Sequence, residues 1–299
     1  MRVSSHQYHI NTIQNIQTNS SNFNDKSVQL ATNQRILKPS DDPLGAVMLM
    51  NLGSEIDSLE QYKTNMNAVN YSLGQQEVQL TGIVNQIYSL QSLITTAADA
   101  SMGDAEIKAL GQDMSIAFPA IVDLLNATDS DGKYYFSGSK TDEKPFQLDA
   151  SSGDYVYSGD TLVRNVSVSD DSSVINNIIG DALDPGADFL NAMKDYLVDV
   201  NNPPAGGVGD KSREMIDKLA GFLSTISGQV TTIGATMASL DSITTSNEDI
   251  KTFTVNLRDD LSAVEYPEAF ISMNESMAAY EASMQVYSSV SNLSLFSYI

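Results

Sequence analysis

The sequence predicts a mainly α fold: a long antiparallel α-helical coiled-coil rod, its N- and C-terminal helices paired at one end, carrying a small β-rich insertion. Three observations predict it. Apolar residues recur at seven-residue intervals at Leu59, Met66, Leu73, Leu80, Ile87 and Ile94, with Tyr62, Val69, Ile83, Leu90 and Ala97 as the companion column and Gln76 as its one polar member. That is an a/d seam over about five heptads. A second such stripe stands in the C-terminal half at Leu219, Ile226, Ile233 and Leu240, beside Ile216, Leu223, Val230 and Met237. Between the two, short aromatic and β-branched runs alternate with Gly, Asp, Ser and Pro, the pattern of strands and turns.

In chain order, residues 3–38 form a weak amphipathic helix. Ile16, Phe23, Leu30 and Leu37 are spaced by seven, but Ser20, Ser27 and Gln34 fill the companion column. A helix with half its seam polar is marginal alone. Pro39-Ser40-Asp41-Asp42-Pro43 then stops one helix and starts the next, with Asp42 and Pro43 an N-cap and first-turn pair. From Pro43 to Ala98 no proline intervenes, which allows a single helix of about 80 Å.

A further helix carries Ile107, Leu110, Met114, Phe118, Ile121 and Leu125, and Pro119 within it is expected to kink it or reset its start. The β-rich part follows Asn126–Gly132, with strands expected around Tyr134-Tyr135-Phe136, Tyr155-Val156-Tyr157, Leu162-Val163 and Val166-Ser167-Val168. Both seam halves lie outside it, so it is expected to point outward and to be dispensable for folding the helices. A short helix at about 187–200 leads into a Pro- and Gly-rich loop, and helix resumes near Ser212. Its stripe shifts by one residue near Ile243 and is expected to continue through Ile250, Leu257 and Val264. After Tyr266-Pro267 the last helix carries Phe270, Met273, Met277, Tyr280, Met284 and Tyr287 in alternating steps of three and four.

This mirrored layout divides the chain into 1–42 plus 258–299 (an inner assembly domain of terminal helices), 43–129 plus 181–257 (the helical rod) and 130–180 (the outer insertion). The ends differ in charge: residues 1–38 carry net +3 and residues 258–299 net −5. Charge of this kind sets register and partner choice more than affinity. The apolar stripes at the ends have too little partner within one chain, so assembly contacts are expected at Ile16, Phe23, Leu30, Leu37, Phe270, Met273, Met277, Tyr280, Met284, Tyr287, Leu293, Leu295 and Phe296. A hinge is expected at Pro39, Ser40, Asp41, Asp42 and Pro43.

Composition narrows the functions. A formal net charge of −22 leaves no basic footprint for nucleic acid and opposes an anionic membrane surface. The longest unbroken apolar run, Leu44 to Met50, is far short of the ~20 residues of a membrane span. No apolar h-region follows Met1-Arg2, so no cleavable signal is expected. Cysteine is absent, which excludes disulfides and thiolate chemistry. Asp129-Ser130-Asp131-Gly132 fails the calcium-loop pattern, because Ala127 and Gly138 stand where acids are needed. His6 and His9 are too few for a metal site or a catalytic triad. No catalytic, metal or cofactor residues are expected, and no enzyme activity.

Several motifs bear on family. Met1-Arg2-Val3-Ser4, Arg35-Ile36 with Pro39-Ser40-Asp41-Asp42-Pro43, Asn126 with Gly132-Lys133-Tyr134-Tyr135-Phe136-Ser137-Gly138, Ile233-Gly234-Ala235 with Leu240, and the ending Ser294-Leu295-Phe296-Ser297-Tyr298-Ile299 span nearly the whole chain. With these the sequence resembles the flagellin-like family, in its hook–filament junction branch. Thr236-Met237 after Ala235 and Glu265-Tyr266-Pro267 before the last helix depart from the family pattern. The resemblance implies an extracellular structural protein of the bacterial flagellum. It would be exported by the flagellar type III route with a cytoplasmic chaperone, and would polymerise as a ring between the other hook–filament junction protein and flagellin. A flagellin, the filament subunit itself, stays open as an alternative, as does a secreted adhesin or enzyme on a coiled-coil stalk.

Overall fold

Helix dominates because the sequence offers long proline-free stretches whose apolar residues share one face. The computed structural model describes residues 2–99, 101–205 and 207–296, and the side chains of those between 7 and 289. Its helices are α1 (Arg2–Thr32), α2 (Pro43–Ala97), α3 (Asp104–Leu125), α4 (Gly180–Leu183), α5 (Asp188–Asn201), α6 (Gly209–Ser262) and α7 (Tyr266–Phe296). Four three-residue strands stand between α3 and α4: β1 (Phe146–Leu148), β2 (Tyr155–Tyr157), β3 (Asn165–Ser167) and β4 (Ser173–Ile175). β1 pairs antiparallel with β2 in the register Phe146↔Tyr157, and β3 with β4 in the register Asn165↔Ile175. The chain divides into two compact units, one of Met1–Leu59 with Glu248–Ile299 and one of Glu60–Asn247.

In the second unit the heptad spacing is converted directly into burial. Every seam position of α2 from Met66 to Ala97 is buried, Gln76 included. The stripe of α6 joins the same core through Leu219, Ile226, Ile233 and Leu240. The two helices run antiparallel: Thr244 Oγ1 reaches the Met66 sulfur, Asn70 the Asp241 carboxylate, and Gly74 faces the Met237 methyl. α3 runs unbroken through Pro119. Pro119 and Ser115 both lie on the exposed face, where the carbonyl that the ring leaves unbonded is open to solvent. Asp184 caps α5, accepting the N–H groups of Phe189 at 2.9 Å and Leu190 at 3.1 Å. Phe189 then stacks on Phe222 of α6, with centroids 4.1 Å apart.

The β-rich segment differs from expectation in two ways. Tyr134-Tyr135-Phe136 is not a strand: Tyr134 makes only an isolated bridge to Thr128, and Phe136 turns its ring into the core. Leu162 and Val163 are exposed and outside any strand. The segment is also no detached appendage. Phe136, Phe146 and Val168 are fully buried in the same core as the helices. Asn126 at the end of α3 brackets Phe146, giving its amide to the Phe146 carbonyl at 3.0 Å and accepting the Phe146 N–H at 2.9 Å. Polar residues of α2 bind the segment along its length, with Asn65 on the Ser167 carbonyl, Tyr62 on Asp170, and Ser72 and Gln76 on Asn176. Gly138 turns it at φ +73°, and a Cβ there would run into Asp160. Long apolar seams leave little room for polar groups, and the buried Gln76 of the α2 seam is satisfied by its own helix and by backbone of this segment.

Candidate assembly surface

In the first unit, α1 and α7 pair antiparallel. Asn19 donates to Ser283 Oγ at 2.8 Å and to the Ala279 carbonyl at 3.3 Å, and the His9 and Tyr287 rings lie 5.2 Å apart. Little is fully covered here. Between residues 7 and 289 the buried side chains of the two helices are Thr12 and Ala269. The cause is visible in the sequence, where α1 alternates apolar residues with Ser, Asn and Gln and so offers α7 a thin, partly polar partner.

The expected assembly residues separate by heptad column. Ile16, Phe23, Leu30 and Leu37 are half-buried, as are Met273, Tyr280 and Tyr287. Phe270, Met277 and Met284, the other column of α7, are exposed. One column thus serves the pair within the chain and the other is left outward, seven residues apart over two full heptads. Leu293, Leu295 and Phe296 lie outside the described side chains. Leu37 falls beyond α1, which ends at Thr32 rather than running to 38 because Asn33 takes the left-handed region at φ +55°.

The proline segment is a bonded turn. Asp41 Oδ2 accepts the N–H groups of Leu37 at 3.2 Å and Lys38 at 2.9 Å, and Asp41 N–H returns to the Lys38 carbonyl. Asp42 caps α2 by accepting the Gly45 N–H at 2.9 Å, and pairs with Arg35 at 3.2 Å. These bonds hold its carboxyl below the ordinary value, the Gly45 N–H first and then, against some desolvation, Arg35. A Cβ at Gly45 would lie 2.5 Å from the Asp42 carboxylate and 2.6 Å from the Ile36 δ-methyl, so both side-chain ends would have to shift. Pro39 and Ser40 complete the turn at the surface and Pro43 opens α2. Across from it, the connector between α6 and α7 takes the Arg35 N–H on the Ser262 carbonyl at 2.8 Å, and Gln34 bridges Ala263. The two proline-marked breaks therefore face each other and share backbone bonds.

The C-terminal stripe of α6 departs from expectation. Val264 is buried, but Ile250 and Leu257 are exposed and the covered position is Thr254. A heptad column marks one face of a helix without naming what packs on it.

Residues 3–141 match the bacterial flagellin N-terminal helical region. Over 293 residues, 90% of each chain, the sequence is 23% identical to the flagellar hook-associated protein 3 of Escherichia coli K12. The chain is thus similar to flagellins in its N-terminal part and to hook-associated protein 3 over most of its length. Its fold is similar to that of a candidate flagellar hook-associated protein from Vibrio parahaemolyticus, 25% identical, covering 75% of this chain and 100% of that one with a TM-score of 0.68. The flagellar hook-associated protein-3 of Legionella pneumophila shares the fold at 16% identity, covering 71% and 98% of the two chains with a TM-score of 0.65. The region matched by the flagellin model takes in α1, the bonded turn, α2 and α3. Among the chain's described residues no three His, Asp or Glu side chains gather as metal ligands.

Sequence reading missed Arg35 as the residue tying the two connectors, and it missed Gly45. The signal for Gly45 was its place three residues after a capping Asp; Arg35 stood in a family motif, but the motif did not name its partners.

Proposed function

We propose that the chain is a structural subunit of the bacterial flagellum, a junction subunit between hook and filament that polymerises as a ring outside the cell and works without catalysis or cofactor. The likeness to hook-associated protein 3 over 90% of both chains supports the place in the flagellum. The observation that carries polymerisation is the outward column Phe270, Met277 and Met284, an apolar helix face left about half exposed among the described residues. Exposed apolar faces of this kind mark interaction sites. In this reading 1–42 with 258–299 serve assembly, 43–129 with 181–257 form the helical body and 130–180 is presented outward, with Pro39–Pro43 as the joint. The partners are further copies, the other junction protein, flagellin, and a cytoplasmic chaperone before export.

The test is a deletion strain with an epitope-tagged copy restored. The deletion should release flagellin into the medium, and immunogold should mark one band at the hook–filament boundary. Label along the whole filament would make the chain a filament subunit instead.

A further inference from the structure

Cysteine is absent, so methionine is the residue of this chain that a two-electron oxidant such as hydrogen peroxide meets first. Among the described side chains the methionines divide by exposure. Met66, Met114 and Met193 are fully buried and Met215 nearly so, inside the helical core. Met48, Met50, Met277 and Met284 are exposed. Met277 and Met284 differ from the other pair in their place: they stand one heptad apart on α7 and, with Phe270, make up its outward column. Met277 is 44% and Met284 45% exposed. Glu281, one turn from each, is exposed and keeps that edge of the helix in water.

We propose that Met277 and Met284 form an oxidation-sensitive modification site: peroxide converts them to sulfoxides in the unassembled chain, and the oxidised column no longer supports assembly. The inference rests on the reading of this column as an assembly face and adds a chemical condition to it. The thioether sulfur attacks one peroxide oxygen, so an S–O bond forms as the O–O bond breaks. Sulfur gives up two electrons, and a proton passes from the sulfur-bound oxygen to the departing hydroxide, which leaves as water. The product replaces a polarisable apolar group with a strong hydrogen-bond acceptor. On an exposed helix face water satisfies that acceptor, so the fold is untouched. Against an apolar neighbour it has no donor, and burying an unpaired polar group is unfavourable. Assembly itself takes the two sulfurs out of water, so the sensitivity belongs to the free chain. Leucine at either position keeps the volume, the apolarity and the helix propensity, and lacks only the sulfur.

The test is a competition. The parent chain and a Met277→Leu with Met284→Leu chain, differently tagged, are expressed together in the deletion strain, and flagella are isolated from cultures grown with and without sublethal hydrogen peroxide. Circular dichroism of both purified full-length chains should agree before and after peroxide; lost helicity would place the effect in the fold and overturn the proposal. Peroxide should raise the share of the leucine chain in flagella severalfold. Peptide mapping should find sulfoxide at Met277 and Met284 in parent chain left in the medium and not in parent chain within flagella. A Met48→Leu with Met50→Leu chain should gain no such advantage. The proposal is overturned by an unchanged share while the chain in the medium carries both sulfoxides, by doses that oxidise Met50 and spare Met277 and Met284, or by an equal advantage for the Met48→Leu with Met50→Leu chain. Each of these leaves the junction reading standing if immunogold still marks the hook–filament boundary without peroxide. Absence of that band in the untreated parent overturns both.

Discussion

The side-chain oxygen of Gln76 accepts the backbone N–H of Ile178 at 2.8 Å. Its amide reaches the carbonyls of Ser72 and Asn176, both at 3.1 Å. The single polar member of the α2 seam is thus where the return of the β-rich segment is fastened, and its burial is complete.

Heptad logic alone says that Gln76→Leu repairs the seam and stabilises it. The structure says the reverse. Leucine leaves the Ile178 N–H without its partner and the Asn176 carbonyl with Ser72 alone, at about 1–3 kcal/mol for a buried orphan group. Denaturant midpoints of the purified chain should fall for Gln76→Leu; a rise would mean that these bonds contribute nothing.

Phe146→Ala should cost about 3–5 kcal/mol, as for a fully buried aromatic. Its ring sits in the helical core, and Asn126 holds its backbone from both sides. Removing 134–168 should accordingly lower the melting temperature and loosen the helices around Leu125 and Leu183. Unchanged melting in the deletion would return the segment to the status of a separable insertion.

Met277→Asp with Met284→Asp puts two charges on the outward column of α7. Exposed positions away from caps and turns shift stability by only about ±0.5 kcal/mol each, so helicity should hold while incorporation into flagella is lost. Circular dichroism and electron microscopy of the complemented deletion strain read the two effects separately. Normal filaments would show that this column is not an assembly face.

Asp42 gives a pH dependence with a definite sign. The Gly45 N–H, followed by the Arg35 partner, lowers its carboxyl from the ordinary 3.8. A depressed carboxyl contributes stability that is present above its unfolded value and is lost as pH falls through the folded one. Protection of the Gly45 amide against hydrogen exchange should hold at neutral pH and weaken below about 3.8, with Asp42→Asn showing a flatter profile. Equal acid sensitivity in both would assign the loss to other groups.

These cases show what was legible beforehand. Seven-residue spacing read the α2 seam residue by residue from Met66 to Ala97, because two long apolar helices have few other ways to hide their stripes. It failed at Ile250 and Leu257, where the same spacing faces outward, since periodicity reports a face and not its partner. Tyr134–Phe136 looked like a strand from its side chains, but its neighbours supply no paired edge, and β propensity is mostly context. The residues of α7 expected to serve assembly were read as one set and fall into two columns, half-buried Met273, Tyr280 and Tyr287 against exposed Phe270, Met277 and Met284. Only the pairing of α1 with α7 tells them apart. The fastening of Arg35 to Ser262 had no local signature at all.

The bond between Asn19 and Ser283 spans 264 positions of the chain. Bringing its ends together from the unfolded state carries a closure entropy of about 5 kcal/mol on the (3/2)RT ln n scale, and α1 cannot meet that cost until α7 exists. A chain that emerges from one end to the other, in synthesis or through a narrow channel, can complete the helices from Glu60 to Asn247 first. Its terminal pair must wait for the last residues to arrive. The order of folding is in this way written into connectivity, and the surface that stays open longest is the one proposed above for assembly.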